Sequence, residues 1–225
     1  MRLIEFLVVR LFNCVKMLQA PAAERNKNPI LSILRKVLPP DVQLNGLEIA
    51  SGTGQHVTWF ASNLPNIIWQ PTEYDQSSLA SIRAYRESND EIKSRVKPPE
   101  LVDVTKPLDL WPQQVAKLSH YDFILNVNMI HISPYECTIG LFRSGQQLIK
   151  ENGLIILYGP FSIDGILTPE SNVNFDQSLR ARDSSWGVRD TRDVGSTAHQ
   201  FGFRFVQIYD MPANNKILIY RKSSP

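Results

Sequence analysis

The sequence predicts a single doubly wound α/β domain, with a mostly parallel seven-stranded sheet, helices on both faces and a C-terminal antiparallel hairpin. Three observations predict it. Helix-like and strand-like patterns alternate along most of the chain. A glycine-rich turn, Ser51-Gly52-Thr53-Gly54, stands where the first strand meets the next helix. Two apolar runs near the C-terminal end flank a turn-forming segment. The 225 residues, 43% apolar and 20% charged, suit one α/β domain with a full core.

The elements follow in order. Asn28-Pro29 opens a helix in which Ile30, Leu31, Ile33, Leu34, Val37 and Leu38 recur at helical spacing, and Pro39-Pro40 stops it. Gly46 to Ala50 is a short strand, and the helix after the glycine turn carries Val57, Phe60, Ala61 and Leu64 on one face. Ile67 to Gln70 is the second strand, ending toward Glu73, and Ser77 to Glu87 is helical. Leu101 to Val104 is the third strand. Tyr121 to Val127 is the fourth, with the continuous apolar interior of a strand covered on both faces. Thr138 to Ile149 reads as a helix, with Asn152-Gly153 as its stop, and Leu154 to Tyr158 as the fifth strand. Residues 159 to 189 read as an irregular polar insertion, and Asp190 to Phe201 as a helix. Phe203 to Tyr209 and Lys216 to Tyr220 form the hairpin around Asp210-Met211-Pro212-Ala213-Asn214-Asn215. Strands separated by helices require right-handed crossovers, which make the sheet parallel.

Residues 1 to 19 read as an extension, disordered or targeting, ahead of a domain over 20 to 225. The run Leu3 to Phe12 is too short to span a bilayer and is broken by Arg10. Arg2, Arg10 and Lys16 would suit a mitochondrial presequence, but serine is missing from the stretch. The expected compartment is the cytoplasm, with the nucleus as a second location and the mitochondrion a third if the extension is a presequence. A net charge of +2 gives no strong signal for nucleic acid or for a membrane surface. Cys14 and Cys137 are far apart and form no metal-ligating or disulfide pattern, so no metal is expected.

The chemistry is concentrated at the expected carboxyl ends of the strands, where open α/β sheets bind ligands. Gly52 and Gly54 allow a sharp turn and a close approach of ligand to backbone. The spacing lacks the third glycine of the dinucleotide fingerprint and the lysine of a phosphate-binding loop. Glu73 stands about twenty residues further on, where an acid can take both ribose hydroxyls of a nucleoside. Asp75, Ser77 and Ser78 compete for the cap of the next helix. Asp103 can accept from an adenine amino group while Val104 packs the ring. Asn126, Asn128, Met129 and His131 leave the fourth strand on the same side. Arg25 and Asn28 before the first helix suit a polar lid. The long insertion, with Asn172, Asp176, Arg180 and Trp186, suits a substrate lid or a loop tied by ion pairs.

These residues carry a resemblance. Glu48-x-Ala50-Ser51-Gly52-x-Gly54 resembles motif I of the class I, Rossmann-like methyltransferases, Glu73 their ribose-binding acid and Asp103 their adenine-contacting acid. Longer blocks resemble the methyltransferase-like protein 26 family. Among them are Ala22 to Ile30, Glu48 to His56, Asn128 to Pro134, Tyr158 to Phe161, Ser171 to Asp176, Trp186 to Asp190 and Asp210 to Lys216. The resemblance covers roughly residues 20 to 222 and implies a class I methyltransferase fold, with no acceptor carried over. The expected cofactor is S-adenosyl-L-methionine, held by Glu48, Ala50, Gly52, Gly54, Glu73, Asp103, Val104 and Asn126. His131 and Tyr158 are the expected bases if a proton must leave. Two readings stay open: a methyltransferase acting on a small molecule or a protein, or a non-catalytic cofactor-binding or protein-interaction module on the same fold.

Overall fold

Successive residues of a strand point to opposite faces of a sheet, and in this chain both faces are covered. The computed structural model describes residues 16–223. Its strands are β1 (Leu44–Ile49), β2 (Ile67–Glu73), β3 (Glu100–Leu101), β4 (Tyr121–Val127), β5 (Ile149–Gly159), β6 (Phe161–Ser162), β7 (Arg189–Asp190), β8 (Phe203–Met211) and β9 (Asn215–Lys222). Its helices are α1 (Pro21–Val37), α2 (Gln55–Asn63), α3 (Gln76–Glu87), α4 (Asp90–Arg95), α5 (Tyr135–Leu148), α6 (Glu170–Arg182) and α7 (Thr191–Gln200).

The main sheet has seven strands in the order β3-β2-β1-β4-β5-β9-β8. From β3 to β5 the pairing is parallel; β9 runs antiparallel to both β5 and β8. Phe123, Leu125 and Val127 of β4 point into one core with Ile30 and Leu34 of α1 and Phe60 of α2. Ile124 points into the other, with Leu141 and Phe142 of α5 and Val194 and Ala198 of α7. Each valine, leucine, isoleucine or phenylalanine among them contributes about 1.5–3 kcal/mol when fully buried. The register of β8 shifts between Phe205 and Gln207, a bulge that bends an otherwise open sheet edge.

The structure moves several boundaries. The first helix starts at Pro21, seven residues before Asn28. Pro29 lies inside it, where it forgoes one helical hydrogen bond without ending the helix. The third strand is Glu100–Leu101 rather than Leu101–Val104, because Asp103 turns the chain. Helix α5 starts at Tyr135, ahead of Thr138. The insertion is not irregular throughout. It holds α6 and the parallel pair β6–β7. Only Asn172 and Leu179 are buried along α6, so no apolar stripe announced it. Helix α4 has no buried residue and was equally silent; Asn89 caps it.

Most of the expected extension, with Cys14, lies outside the described residues. Its last residues, 16 to 19, are described, and there the chain is held against the domain. Leu18 N–H donates to Ser81 Oγ (2.8 Å), and Ala20 N–H donates to Gln55 Oε1 (2.6 Å). Among the described residues no helix is long and apolar enough to cross a membrane, and no cluster of potential metal ligands occurs.

Candidate functional site

The backbone between β1 and α2 enters the left-handed region at Ala50 (φ 60°), Gly52 (φ 57°) and Gly54 (φ 92°). For Ala50, which carries a Cβ, this costs about 1–2 kcal/mol. The two glycines serve different ends. A Cβ on Gly52 would meet nothing within 4 Å, so its open side faces free space. A Cβ on Gly54 would lie 2.9 Å from Ile82 Cα, so Gly54 lets α3 pack against the start of α2.

Glu73 ends β2 opposite this turn. Gly52 N–H donates to its Oε2 (2.6 Å), while Tyr74 and Asp75 N–H donate to its Oε1 (2.8 and 3.0 Å). The carboxylate is therefore fixed against the glycine turn, and Oε2 keeps acceptor capacity for a ligand hydroxyl. Asp75 takes the capping role: its side chain accepts from Ser77 N–H at the start of α3. Asp103 Oδ1 accepts from the backbone N–H and hydroxyl of Thr105 (3.0 and 2.6 Å), which fixes the carboxylate beyond β3.

These groups share a cavity of about 690 Å³ beyond the carboxyl ends of the parallel strands. Of the residues expected to hold a cofactor, Ala50, Gly52, Glu73, Asp103 and Val104 line it. Of those expected to meet a substrate, Met129 and Trp186 do. Half-buried Cys137, a free thiol, lines it too.

The remaining expected residues stand behind the cavity wall or away from it. Asn126 is buried in β4, and its Nδ2 donates to the Ile49 carbonyl (2.9 Å), holding the end of β1. Glu48 is 1% exposed, and its Oε2 has no hydrogen-bond partner. Burial pushes its pKa up to about 8; the nearby Ser51 hydroxyl opposes this and the Glu73 charge adds to it. Glu48 is thus neutral or shares a proton at neutral pH.

Neither expected base lines the cavity. His131 is buried with Nδ1 unpartnered, its ring edge-on to Phe175 of α6 (5.7 Å). Burial, then the Arg189 charge, lowers its pKa to about 4. Tyr158 is buried in the core beneath α1, where burial raises its pKa and a hydrogen bond with Asn26 opposes the rise. The lid residues divide similarly. Arg25 and Asn28 are exposed on α1. Asn172 Nδ2 donates to the Thr168 and Asn214 carbonyls (3.2 Å each). Asp176 accepts from Arg180 Nε (2.8 Å) and Val188 N–H (2.7 Å). These side chains build the insertion and leave Trp186 to reach the cavity.

Two residues of the site were not singled out from the sequence. His56, 9% exposed, lines the cavity, and its Nε2 donates to Asn26 Oδ1 (2.6 Å). Burial, then Lys27, lowers its pKa to about 4, so the ring is neutral at physiological pH. Its place two residues after Gly54 was the available signal. Arg189 donates to the carbonyls of Ile130, Ser133 and Ser185 (2.9, 2.7 and 2.8 Å), joining the β4–α5 loop to the segment that carries Trp186. No local spacing points to that role.

The strand order and the cavity at the strand ends define the class I methyltransferase fold, and solved structures bear this out. An O-methyltransferase family protein from Burkholderia thailandensis superposes with a TM-score of 0.72 at 12% identity, over 90% of this chain and 59% of its own. A putative sarcosine dimethylglycine methyltransferase from Galdieria sulphuraria matches at 0.68 and 13%, over 92% of both chains. CalO1, a methyltransferase in calicheamicin biosynthesis solved in an SAH-bound form, matches at 0.66 and 12%, over 88% of this chain and 53% of its own. The chain thus spans less than two thirds of the length of the first and third of these. At such identities the likeness is one of fold. The family is shown separately: the model described as "Protein of unknown function (DUF938)" matches residues 17–222, and the chain belongs to that family.

Proposed function

We propose that this chain binds S-adenosyl-L-methionine in the 690 Å³ cavity and transfers its methyl group to a small-molecule or protein acceptor. One observation carries the reading: the open face of Gly52, the fixed Glu73 carboxylate and Asp103 meet in one cavity. The residues present fit the cofactor. Gly52 leaves room beside the backbone, Glu73 Oε2 can accept from ribose hydroxyls, Asp103 can accept from the adenine amino group, and Val104 can pack the ring. In this reading Glu48 and Asn126 act from behind the wall, by holding the end of β1. The membership in the methyltransferase-like protein 26 family that the sequence blocks suggest belongs to the same proposal.

When bound, the cofactor supplies an activated methyl group on a sulfonium. The chain's own task is to hold an acceptor lone pair in line and exclude water, which can supply most of the rate. In this reading Met129 and Trp186, which line the cavity, do this. A cytoplasmic, and also nuclear, site of action remains part of the proposal. The placement of His131 and Tyr158 outside the cavity favours an acceptor that needs no base from them. It equally gives substance to a second reading, a cofactor-binding module without transfer.

Thermal shift and calorimetry test the binding step, because a ligand specific for the native state raises its stability. S-adenosylmethionine and its demethylated product should each raise the melting temperature, and NAD should not. A shift with NAD alone would sink the proposal. Transfer of a labelled methyl group into a cell extract then separates the enzyme from the binding module.

A further inference from the structure

Among the described residues His56 is the one imidazole on the cavity wall, and no lysine or arginine joins it there. Its ring is fixed on two sides. It stacks on Phe60, with 5.6 Å between centroids and 19° between planes. Its Nε2 lies 2.6 Å from Oδ1 of Asn26, which is itself buried. The Asn26 amide nitrogen donates to the Tyr158 hydroxyl, which is why that bond opposes the rise of the tyrosine pKa. The amide oxygen therefore faces His56 and needs a donor, so Nε2 carries the ring proton. Nδ1 is left with a lone pair. Among the described residues it makes no hydrogen bond, and it is not sealed away as His131 Nδ1 is. Only 9% of His56 is exposed, and the cavity is where that part lies.

The sheet order tells which end of the cavity His56 serves. Glu73 ends β2 and Asp103 follows β3, both on one side of β1. Strands β4 and β5 lie on the other side, and the bond between Asn26 and Tyr158 ties His56 toward β5. Met129, which follows β4, and Trp186, from the insertion after β5, line the cavity with Ala22 and Ala23 of α1. His56 thus belongs with these groups, across the glycine turn from the two carboxylates.

We propose that His56, Met129, Trp186 and the two alanines form an acceptor subsite for a neutral alcohol or phenol on an apolar body, whose hydroxyl donates to His56 Nδ1 and yields its proton there. This rests on the reading of the cavity as an S-adenosylmethionine site. An acceptor oxygen lone pair makes the new C–O bond, and the pair of the broken C–S bond goes to sulfur. The O–H pair stays on oxygen, and Nδ1 takes the proton. The positive charge thus passes from the sulfonium to the His56 imidazolium, which then gives its proton to water. A pKa of about 4 makes His56 a weak base, but a sufficient one. An oxygen that has gained a methyl before losing its proton is a far stronger acid than that imidazolium. The same ring is too weak to strip an ammonium, so an amine gains nothing from it. A carboxylate has no proton to give, and would meet the Nδ1 lone pair with no cation beside it.

Calorimetry on the full chain saturated with S-adenosylhomocysteine tests this with three probes that share one body: 2-naphthol, 2-naphthoate and 2-naphthylmethylammonium. The neutral 2-naphthol should bind at least about tenfold more tightly than either ion. Nitrogen NMR of the native, histidine-labelled protein reads the ring directly. His56 should carry its proton on Nε2, and 2-naphthol should shift the Nδ1 resonance as that atom accepts a hydrogen bond. His56→Phe keeps the stack on Phe60 and deletes the acceptor atom. It should weaken 2-naphthol about fivefold, the scale of one neutral hydrogen bond, and leave the ether 2-methoxynaphthalene unchanged. The NMR arm on the native protein serves if that variant does not fold. With S-adenosylhomocysteine bound, three results would each overturn the acceptor subsite and leave the cofactor reading intact: no binding of 2-naphthol, equal affinity for all three probes, or an Nδ1 resonance that 2-naphthol does not move. Failure of S-adenosylhomocysteine itself to bind would overturn the cofactor reading, and the subsite with it.

Discussion

The chain leaves β1 and β5 in different ways. After β1 the site is made of backbone: positive φ angles at Ala50, Gly52 and Gly54, and Gly52 N–H bonded to Glu73. After β5 it is made of side chains: Asp176 holds Val188 N–H, Arg189 holds three carbonyls, and the Asp190 carboxylate accepts from Ser162 Oγ and Gly165 N–H. Backbone conformations admit few residue types, so the first region should fail abruptly on substitution. Side-chain ties can be lost one at a time, so the second should fail by degrees.

The largest expected effect is at Gly52. Gly52→Val combines a β-branched residue at φ 57° with a side chain in the open space, and should lower S-adenosylmethionine affinity by at least about a hundredfold. Calorimetry measures it; retained affinity would show that the ligand lies elsewhere. Two residues on, Gly54→Ala should instead cost about 2–3 kcal/mol of stability, because its Cβ collides with the α3 backbone. Urea unfolding reads that loss, and the folded fraction should still bind. Should both variants lose binding and keep stability, the division of labour between the glycines is wrong.

Glu73→Gln keeps the shape but cannot accept from all the N–H groups that face the carboxylate, and should weaken binding roughly tenfold. Arg189→Ala, on the side-chain-built side, should cost only a few-fold in affinity, with altered Trp186 fluorescence on ligand addition. An abrupt loss there would erase the contrast between the two regions.

A separate test is the pH dependence of stability. The folded-state pKa of Glu48 is raised from 4.5 to about 8, so its contribution is full below 4.5 and is lost as pH rises toward 8. The folded-state values of His56 and His131 are lowered from 6.5 to about 4, so folding weakens as pH falls from 6.5 toward 4. Between 4.5 and 6.5 the two histidines outweigh the single acid. Melting temperature should peak near pH 6.5, and Glu48→Gln should flatten the alkaline side. A native protein most stable at pH 9 would contradict the burial of Glu48.

The regions also differ in how far they could be read from sequence. Gly52, Glu73 and Asp103 stand at fixed places in βα units, and the cavity brings them together. Strand β4 was legible because it is buried on both faces and its apolar run is continuous. Helix α6 was not, because it buries only Asn172 and Leu179. His131 follows β4 and Tyr158 lies near the end of β5, both toward the ligand side, yet their side chains are buried; strand position alone does not give side-chain direction. Arg189 acts on carbonyls more than fifty residues earlier, at Ile130 and Ser133, a relation that only the folded chain contains.

Strand β9 follows β8 in the chain but lies inside it in the sheet, between β5 and β8. Strand β8 therefore touches the sheet only through β9, and its place at this edge depends on β9 being docked on β5. A nick in the turn at Pro212–Asn214 would let β9 stay on β5 while β8 and α7 lose their covalent tether to it. Limited proteolysis at that turn would thus report how firmly this half of the sheet is zipped.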